Sequence, residues 1–173
     1  SFGEENIYPL ERRSKIVMKR YDNFSMKYGT DVLASLSNYT QESMTVETRE
    51  QIIRVIYAIM IYEDYNRPFV IRLAEWAMKA TFFRQRTMSL GIMQVRTNRL
   101  IFNRESIKLA IPLVINSFLT SQDDPIYDSI FQYNPDRNYV EETMAIYDIL
   151  FEEIPTDRDA PLVTIDNSTD SII

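Results

Sequence analysis

The sequence predicts a mainly α protein, and three observations carry that reading. Only three of the 173 residues are Gly. No segment shows the Val-rich alternation of a half-buried strand. Several long stretches instead repeat apolar residues at the three- and four-residue spacing of a helix face. With 45% hydrophobic residues the chain can bury a real core, and its length fits one domain. We expect that domain over residues 1–154, with its core at 46–150, followed by a polar, acidic tail or linker at 155–173.

The elements follow in order. Within residues 1–30, Ile16, Met18, Tyr21, Phe24 and Tyr28 recur at roughly helical spacing and predict a short amphipathic helix. A second short helix is expected over 31–38, after Gly29. The main helix occupies about 46–64. Its stretch REQIIRVIYAIMIYED keeps almost no polar face after Arg54, so protein should wrap it on every side. Ser43 or Thr45 can cap its start, Glu47 and Glu50 suit the positive end of its dipole, and Pro68 stops it. Residues 68–83 predict another helix with Pro at its first turn, whose stripe through Val70, Ala74, Ala77 and Met78 reads as core. Residues 84–89 read as a loop leading into Leu90-Gly91-Ile92-Met93-Gln94-Val95. A buried helix is expected over 105–119, kinked or begun afresh at Pro112. After a loop at 122–125, residues 127–131 lead to Tyr133-Asn134-Pro135. A closing helix over 139–154 presents Val140, Met144, Ile146, Tyr147 and Leu150.

Composition excludes several chemistries. There is no Cys and no His, which removes disulfides, thiol nucleophiles and Ser-His catalysis and leaves no metal site of the usual transition-metal type. An enzyme built from this chain works with carboxylates, Lys, Tyr and Arg, and no cofactor is expected. A net charge of −6 argues against non-specific nucleic-acid binding. The basic run Arg12, Arg13, Lys15, Lys19, Arg20 reads as a solvated face, with an anionic surface as the alternative. No uncharged apolar run is long enough to span a membrane. The opening Ser1-Phe2-Gly3 is that expected of an excised or processed piece, so a membrane anchor or larger protein can lie outside it.

One carboxylate stands out. Glu63 sits at the C-terminal end of the buried helix, where the dipole disfavours an anion and apolar neighbours desolvate it. Both effects are expected to raise its pKa, the condition for a general acid in glycosidic bond cleavage. The plainer reading is a solvated residue in a helix-ending turn.

Glu63, then Ser89-Leu90-Gly91-Ile92-Met93-Gln94-Val95, then Tyr133-Asn134 resemble, in that order, the lysozyme-like superfamily and specifically the soluble lytic transglycosylases of bacterial cell walls. The resemblance covers about 46–150. It implies a lysozyme-like fold whose buried central helix ends at the catalytic Glu, and a cell-envelope or periplasmic setting. Its implied partner is the glycan strand of peptidoglycan, cleaved at β-1,4 MurNAc-GlcNAc bonds. Glu63 is then the acid and base, and Ser89, Gly91, Met93, Gln94, Tyr133 and Asn134 form the substrate site. Their chemistry suits those roles. Gly91 allows close backbone approach, Gln94 offers donor and acceptor, and Met93 can pack on a sugar face. Ser89 can donate to substrate or to Glu63, and Tyr133 can hold the carboxyl. The chain departs from the family by Asp64 directly after the Glu, an extra helix before Gly91, and Pro135-Asp136-Arg137 after the Tyr-Asn pair.

A weaker resemblance links Glu63-Asp64, Arg72, Trp76, Thr87-Met88-Ser89 and Gln94 to the glycosyltransferase domains of penicillin-binding proteins. Those need a second catalytic Glu that this sequence does not show. The alternatives to cleavage are an inactive lysozyme-fold module that binds peptidoglycan or a protein, and an unrelated all-α interaction domain. A hydrolase, unlike a transglycosylase, also wants a second carboxylate. Asp64 points about 100° away from Glu63 on a helix and is a poor candidate; Glu75 and Glu105 depend on the fold.

Overall fold

The computed structural model describes residues 10–39, 44–66, 88–97 and 101–154, together with Ala74, Ala77 and Met78. Among them the chain forms α1 (Leu10–Ser37), α2 (Val46–Asn66), β1 (Met88–Leu90), β2 (Val95–Thr97), α3 (Asn103–Thr120), α4 (Pro125–Tyr133) and α5 (Arg137–Glu153). The protein is mainly helical, as its composition predicts.

α2 is the axis of the core. Its N-terminus is held by Thr45, whose Oγ1 accepts from the Thr48 amide at 3.1 Å, with Glu47 in the first turn. Ile52 and every residue from Arg54 to Ile61 are buried. α2 packs against α1, α3, α4 and α5, most extensively α5. Each of those helices supplies a buried face: Phe24, Tyr28 and Val32 from α1, Ile107, Ile111 and Ile115 from α3, Ile130 from α4, Ile146 and Leu150 from α5. The one charge in this run, Arg54, lies along α2 with its guanidinium donating to the Ile154 carbonyl at 3.2 Å. The same group sits 5.4 Å from the Phe151 ring centroid. It therefore neutralises the negative end of α5 from inside the protein.

α1 differs from expectation. Two short helices broken near Gly29 were predicted, but one 28-residue helix runs straight through. A mid-helix Gly costs roughly 1 kcal/mol relative to Ala. Here the buried stripe Val17, Phe24, Tyr28, Val32, Leu36 continues on both sides of it and outweighs that cost. The basic run on α1 is partly consumed within the protein. Arg13 pairs with Glu142 on α5 at 2.8 Å, and Arg20 with Asp64 on α2 at 3.2 Å.

α3 is also continuous through Pro112 rather than begun afresh there. Proline removes the hydrogen bond to the carbonyl of Lys108, an exposed position where water can replace it. α4 starts on Pro125 with Asp124 as its cap, the Asp124 carboxylate accepting from the Tyr127 amide at 3.0 Å. Asp136 caps α5 in the same way through Tyr139, also at 3.0 Å. Most of the helix expected over 68–83, and the tail over 155–173, lie outside the described residues. Ala74, Ala77 and Met78 are helical but exposed, so at those positions the expected core stripe is not buried.

Residues 88–97, expected to be a loop and an apolar segment, form an antiparallel hairpin. Ser89 pairs with Arg96 and Leu90 with Val95 across a turn at 91–94.

Gly29 offers a clean test. A Cβ built there would meet only the Tyr57 hydroxyl, at an ordinary 3.6 Å. Gly29→Ala should raise the unfolding free energy by roughly 0.5–1 kcal/mol. Chemical denaturation measures it, and a loss of stability would mean that α1 needs a glycine there.

Candidate active-site cleft

A cleft of about 680 Å³ opens where the C-terminal end of α2, the hairpin and the α4–α5 junction meet. Five of the residues singled out from sequence line it: Glu63, Ser89, Gln94, Tyr133 and Asn134. Gly91 and Met93 do not. They work behind the wall, and each explains why the wall has its shape.

Gly91 has φ of +78°, and a Cβ on it would collide with the Ser106 side chain of α3. Only glycine permits both that backbone conformation and that proximity. Met93 is fully buried in the core and is therefore not a surface for sugar. Its amide donates to Ser106 Oγ at 3.3 Å, and that hydroxyl donates to the Asn103 carbonyl at 2.7 Å. Gln94 follows with φ of 48°, an uncommon conformation for a residue with a side chain. Its amide and its Nε2 both donate to the Gly91 carbonyl, at 3.1 and 2.9 Å. The side chain thus ties down its own turn.

Tyr133 occupies the opposite wall, and its hydroxyl donates to the Met93 carbonyl. The sequence suggested the catalytic carboxyl as its partner; the structure shows the hairpin backbone instead. Tyr133 therefore fixes the distance across the cleft.

Glu63 lies in the last turn of α2 and is 9% exposed. Tyr62, Tyr133 and Tyr139 surround it closely enough to feel its charge. Burial raises all three phenol pKa values above the usual 10, and the charge of Glu63 raises each further. For Tyr133 and Tyr139 the rise is large, so both stay protonated at any physiological pH. The Tyr133 proton is committed to Met93. The Tyr139 hydroxyl is buried without a hydrogen-bond partner, close enough to Glu63 to feel its charge.

Asp64 is adjacent in sequence yet belongs elsewhere, turned toward Arg20 on α1. Glu105 is exposed and accepts from the Phe102 amide at 2.9 Å, a capping role at the start of α3. Glu75 lies outside the described residues. The second described carboxylate in the cleft is Asp136, which sequence reasoning did not single out, along with Tyr62, Asn66, Arg96 and Tyr139. Two signals were available. Asn66 is three residues beyond Glu63 and so shares its helix face, and Asp136 departs from the family pattern directly after Tyr133-Asn134. Among the described residues no group of three or more acidic side chains is placed to hold a metal ion, and no helix is long and apolar enough to cross a membrane.

Compared with protein-family models, with curated proteins and with solved structures, the chain finds no match.

Two outcomes follow from this geometry. Gly91→Ala combines a disfavoured φ with a collision and should cost roughly 2–4 kcal/mol. Thermal unfolding measures that cost, and an unchanged midpoint would contradict the packing against Ser106. The raised phenol pKa values predict the alkaline limit. Tyr57 is pushed up to about 12 by burial and by Tyr21, and Tyr133 and Tyr139 are raised as well. Folded values above the unfolded 10 mean that this stabilisation is complete below pH 10 and is lost as pH climbs through 12. Helix loss by circular dichroism should therefore accompany the last part of the tyrosinate absorbance change. Ionisation of all eleven tyrosines near pH 10 with the helices intact would refute it.

Proposed function

We propose that this chain is a lysozyme-like glycan-cleaving domain, a peptidoglycan lytic transglycosylase or muramidase, with Glu63 as its acid and base. The observation that carries the reading is the convergence of Glu63, Ser89, Gln94, Tyr133 and Asn134 on one cleft from α2, the hairpin and the end of α4. A cleft of about 680 Å³ walled by hydroxyls, amides and phenols suits a sugar, whose hydroxyl and acetamido groups need donors and acceptors together.

In this mechanism protonated Glu63 gives its proton to the leaving glycosidic oxygen while the sugar's own acetamido group stabilises the developing positive charge. The Glu63 carboxylate then takes a proton. From the sugar's 6-hydroxyl this yields an anhydro ring; from water it yields a hydrolysed end. Tyr139, protonated and facing Glu63, steadies the carboxylate between the two steps. In the hydrolytic branch Asp136 is the group in the cleft able to orient water. One of its oxygens is held by the Tyr139 amide, which leaves the other for that task. The mechanism calls for no cofactor. A peptidoglycan substrate would put the protein in the cell envelope.

Digestion of purified peptidoglycan by the native protein and by Glu63→Gln, with products identified by mass spectrometry, tests this. Anhydro-muropeptides from the native protein and at least about a hundredfold less from the variant are expected of a transglycosylase. Reducing-end products mean a hydrolase and point to Asp136. Equal sedimentation of both proteins with the sacculus, without release, would replace the enzyme by an inactive binding module. Neither release nor binding would sink the glycan reading.

A further inference from the structure

Arg20 on α1 grips the last turn of α2. Its Nε donates to the Asp64 carboxylate at 3.2 Å, and its guanidinium lies 5.0 Å from the Tyr65 ring centroid. One cation thus holds two consecutive residues, and both directly follow Glu63. Asp64 and Tyr65 do not line the cleft, whereas Tyr62, Glu63 and Asn66 do, so Arg20 acts from behind the wall. The Arg20 and Asp64 side chains are 30% and 21% exposed, so solvent screens the pair only in part. Next to Arg20, Tyr21 meets Tyr57 of α2 edge to face, with centroids 5.0 Å apart. Tyr57 and Asp64 stand about two turns apart on one face of α2. The ring contact and the ion pair therefore clamp the same side of that helix.

The end of a helix is where its backbone frays, because the final carbonyls have no partner within it. α2 ends at Asn66, so Glu63 stands in the last turn and keeps its place at the cleft only while that turn stays wound. A cation is favoured at this end of the dipole, yet the last turn of α2 contains no basic residue. The neighbouring helix supplies one instead. We propose that Arg20 is a positioning residue for Glu63, keeping the last turn of α2 wound from the α1 side and balancing, with Asp64, the charge felt at the Glu63 carboxyl. The consequence for catalysis rests on the reading of Glu63 as the acid; the hold on the turn does not.

Other groups also face that carboxyl. Tyr62 comes from α2 itself, Tyr133 from α4, Asp136 and Tyr139 from the start of α5, and Arg96 from the hairpin. Glu142, whose charge reaches Tyr62, is tied to Arg13 of α1. All of these stay in place when Arg20 or Asp64 is changed, so a difference between such variants belongs to that pair.

NMR of protein carbon-13 labelled in its glutamate carboxyls follows Glu63 through a pH titration, with Glu63→Gln assigning the signal. Arg20→Gln removes a positive charge and should raise the Glu63 pKa by about half a pH unit, while Asp64→Asn removes a negative charge and should lower it by about as much. Arg20→Lys retains the charge and should titrate as the native protein does. Hydrogen exchange at the amides of Asp64, Tyr65 and Asn66 should quicken roughly fivefold in Arg20→Gln and in Asp64→Asn, the range of a partly exposed ion pair. The amides from Arg54 to Ile61 should keep their native rates. Opposite shifts at Glu63 with the same loosening of the turn distinguish paired charges from a general loss of packing, which would move both variants the same way. A Glu63 pKa unmoved by Arg20→Gln, shifts of one sign in both variants, or native exchange in the last turn overturns the proposal. No glycan enters these measurements. Failure to digest peptidoglycan leaves them standing, and their failure leaves the digestion assay with Glu63→Gln untouched.

Discussion

From Arg54 to Ile61 every side chain of α2 is buried, a run of more than two turns at about 3.6 residues per turn, so no direction around the axis faces water. Such a helix cannot lie on a surface, and the surrounding architecture answers that constraint. Four helices each lend an apolar stripe, and none of them encloses α2 alone. Arg54 is the one charged side chain in that run. Burying a guanidinium is costly unless its charge is met. It is met by the Ile154 carbonyl, the Phe151 ring and Glu50 at 3.8 Å. The same arrangement brings Glu63 to the rim of the core, still shielded but within reach of a cleft.

The environment of Glu63 is made mostly of phenols. A tyrosine packs like an apolar ring while keeping one donor, so it excludes water without stranding a carboxylate. Tyr62 and Tyr139 meet edge to face with centroids 4.6 Å apart, and Tyr133 closes the far side. Each phenol holds its proton more tightly because the carboxylate is near. By the same coupling, the carboxylate sits among phenols that stay neutral.

How much of this was legible in the sequence varies with the physics of each element. α2, α3 and α5 announce themselves because their burial is dense and periodic, and packing agrees with local propensity. α1 was misread at Gly29, where a local helix penalty was outweighed by a stripe of tertiary contacts that only the fold reveals. The hairpin was missed for a different reason. Its strands are three residues each, too short for an alternation to appear, and its turn depends on positive φ at Gly91 and Gln94. The residues that line the cleft were partly found by resemblance to a known pattern. Arg96, Asp136 and Tyr139 were not, because each matters only through what stands across from it. Tyr133 was found, but its partner was not.

One chain of hydrogen bonds reaches farther than the cleft it serves. The Met93 amide binds Ser106, Ser106 binds the Asn103 carbonyl, and the Asn103 side chain donates to the Tyr28 hydroxyl at 2.9 Å. Among the described residues α1 contributes none to the walls of the Glu63 cleft, yet through Tyr28 it braces the hairpin like a buttress behind a facade. The gap between the hairpin and Tyr133 is consequently a property of the whole bundle, and a helix set apart from the cleft helps to set the calibre of the groove.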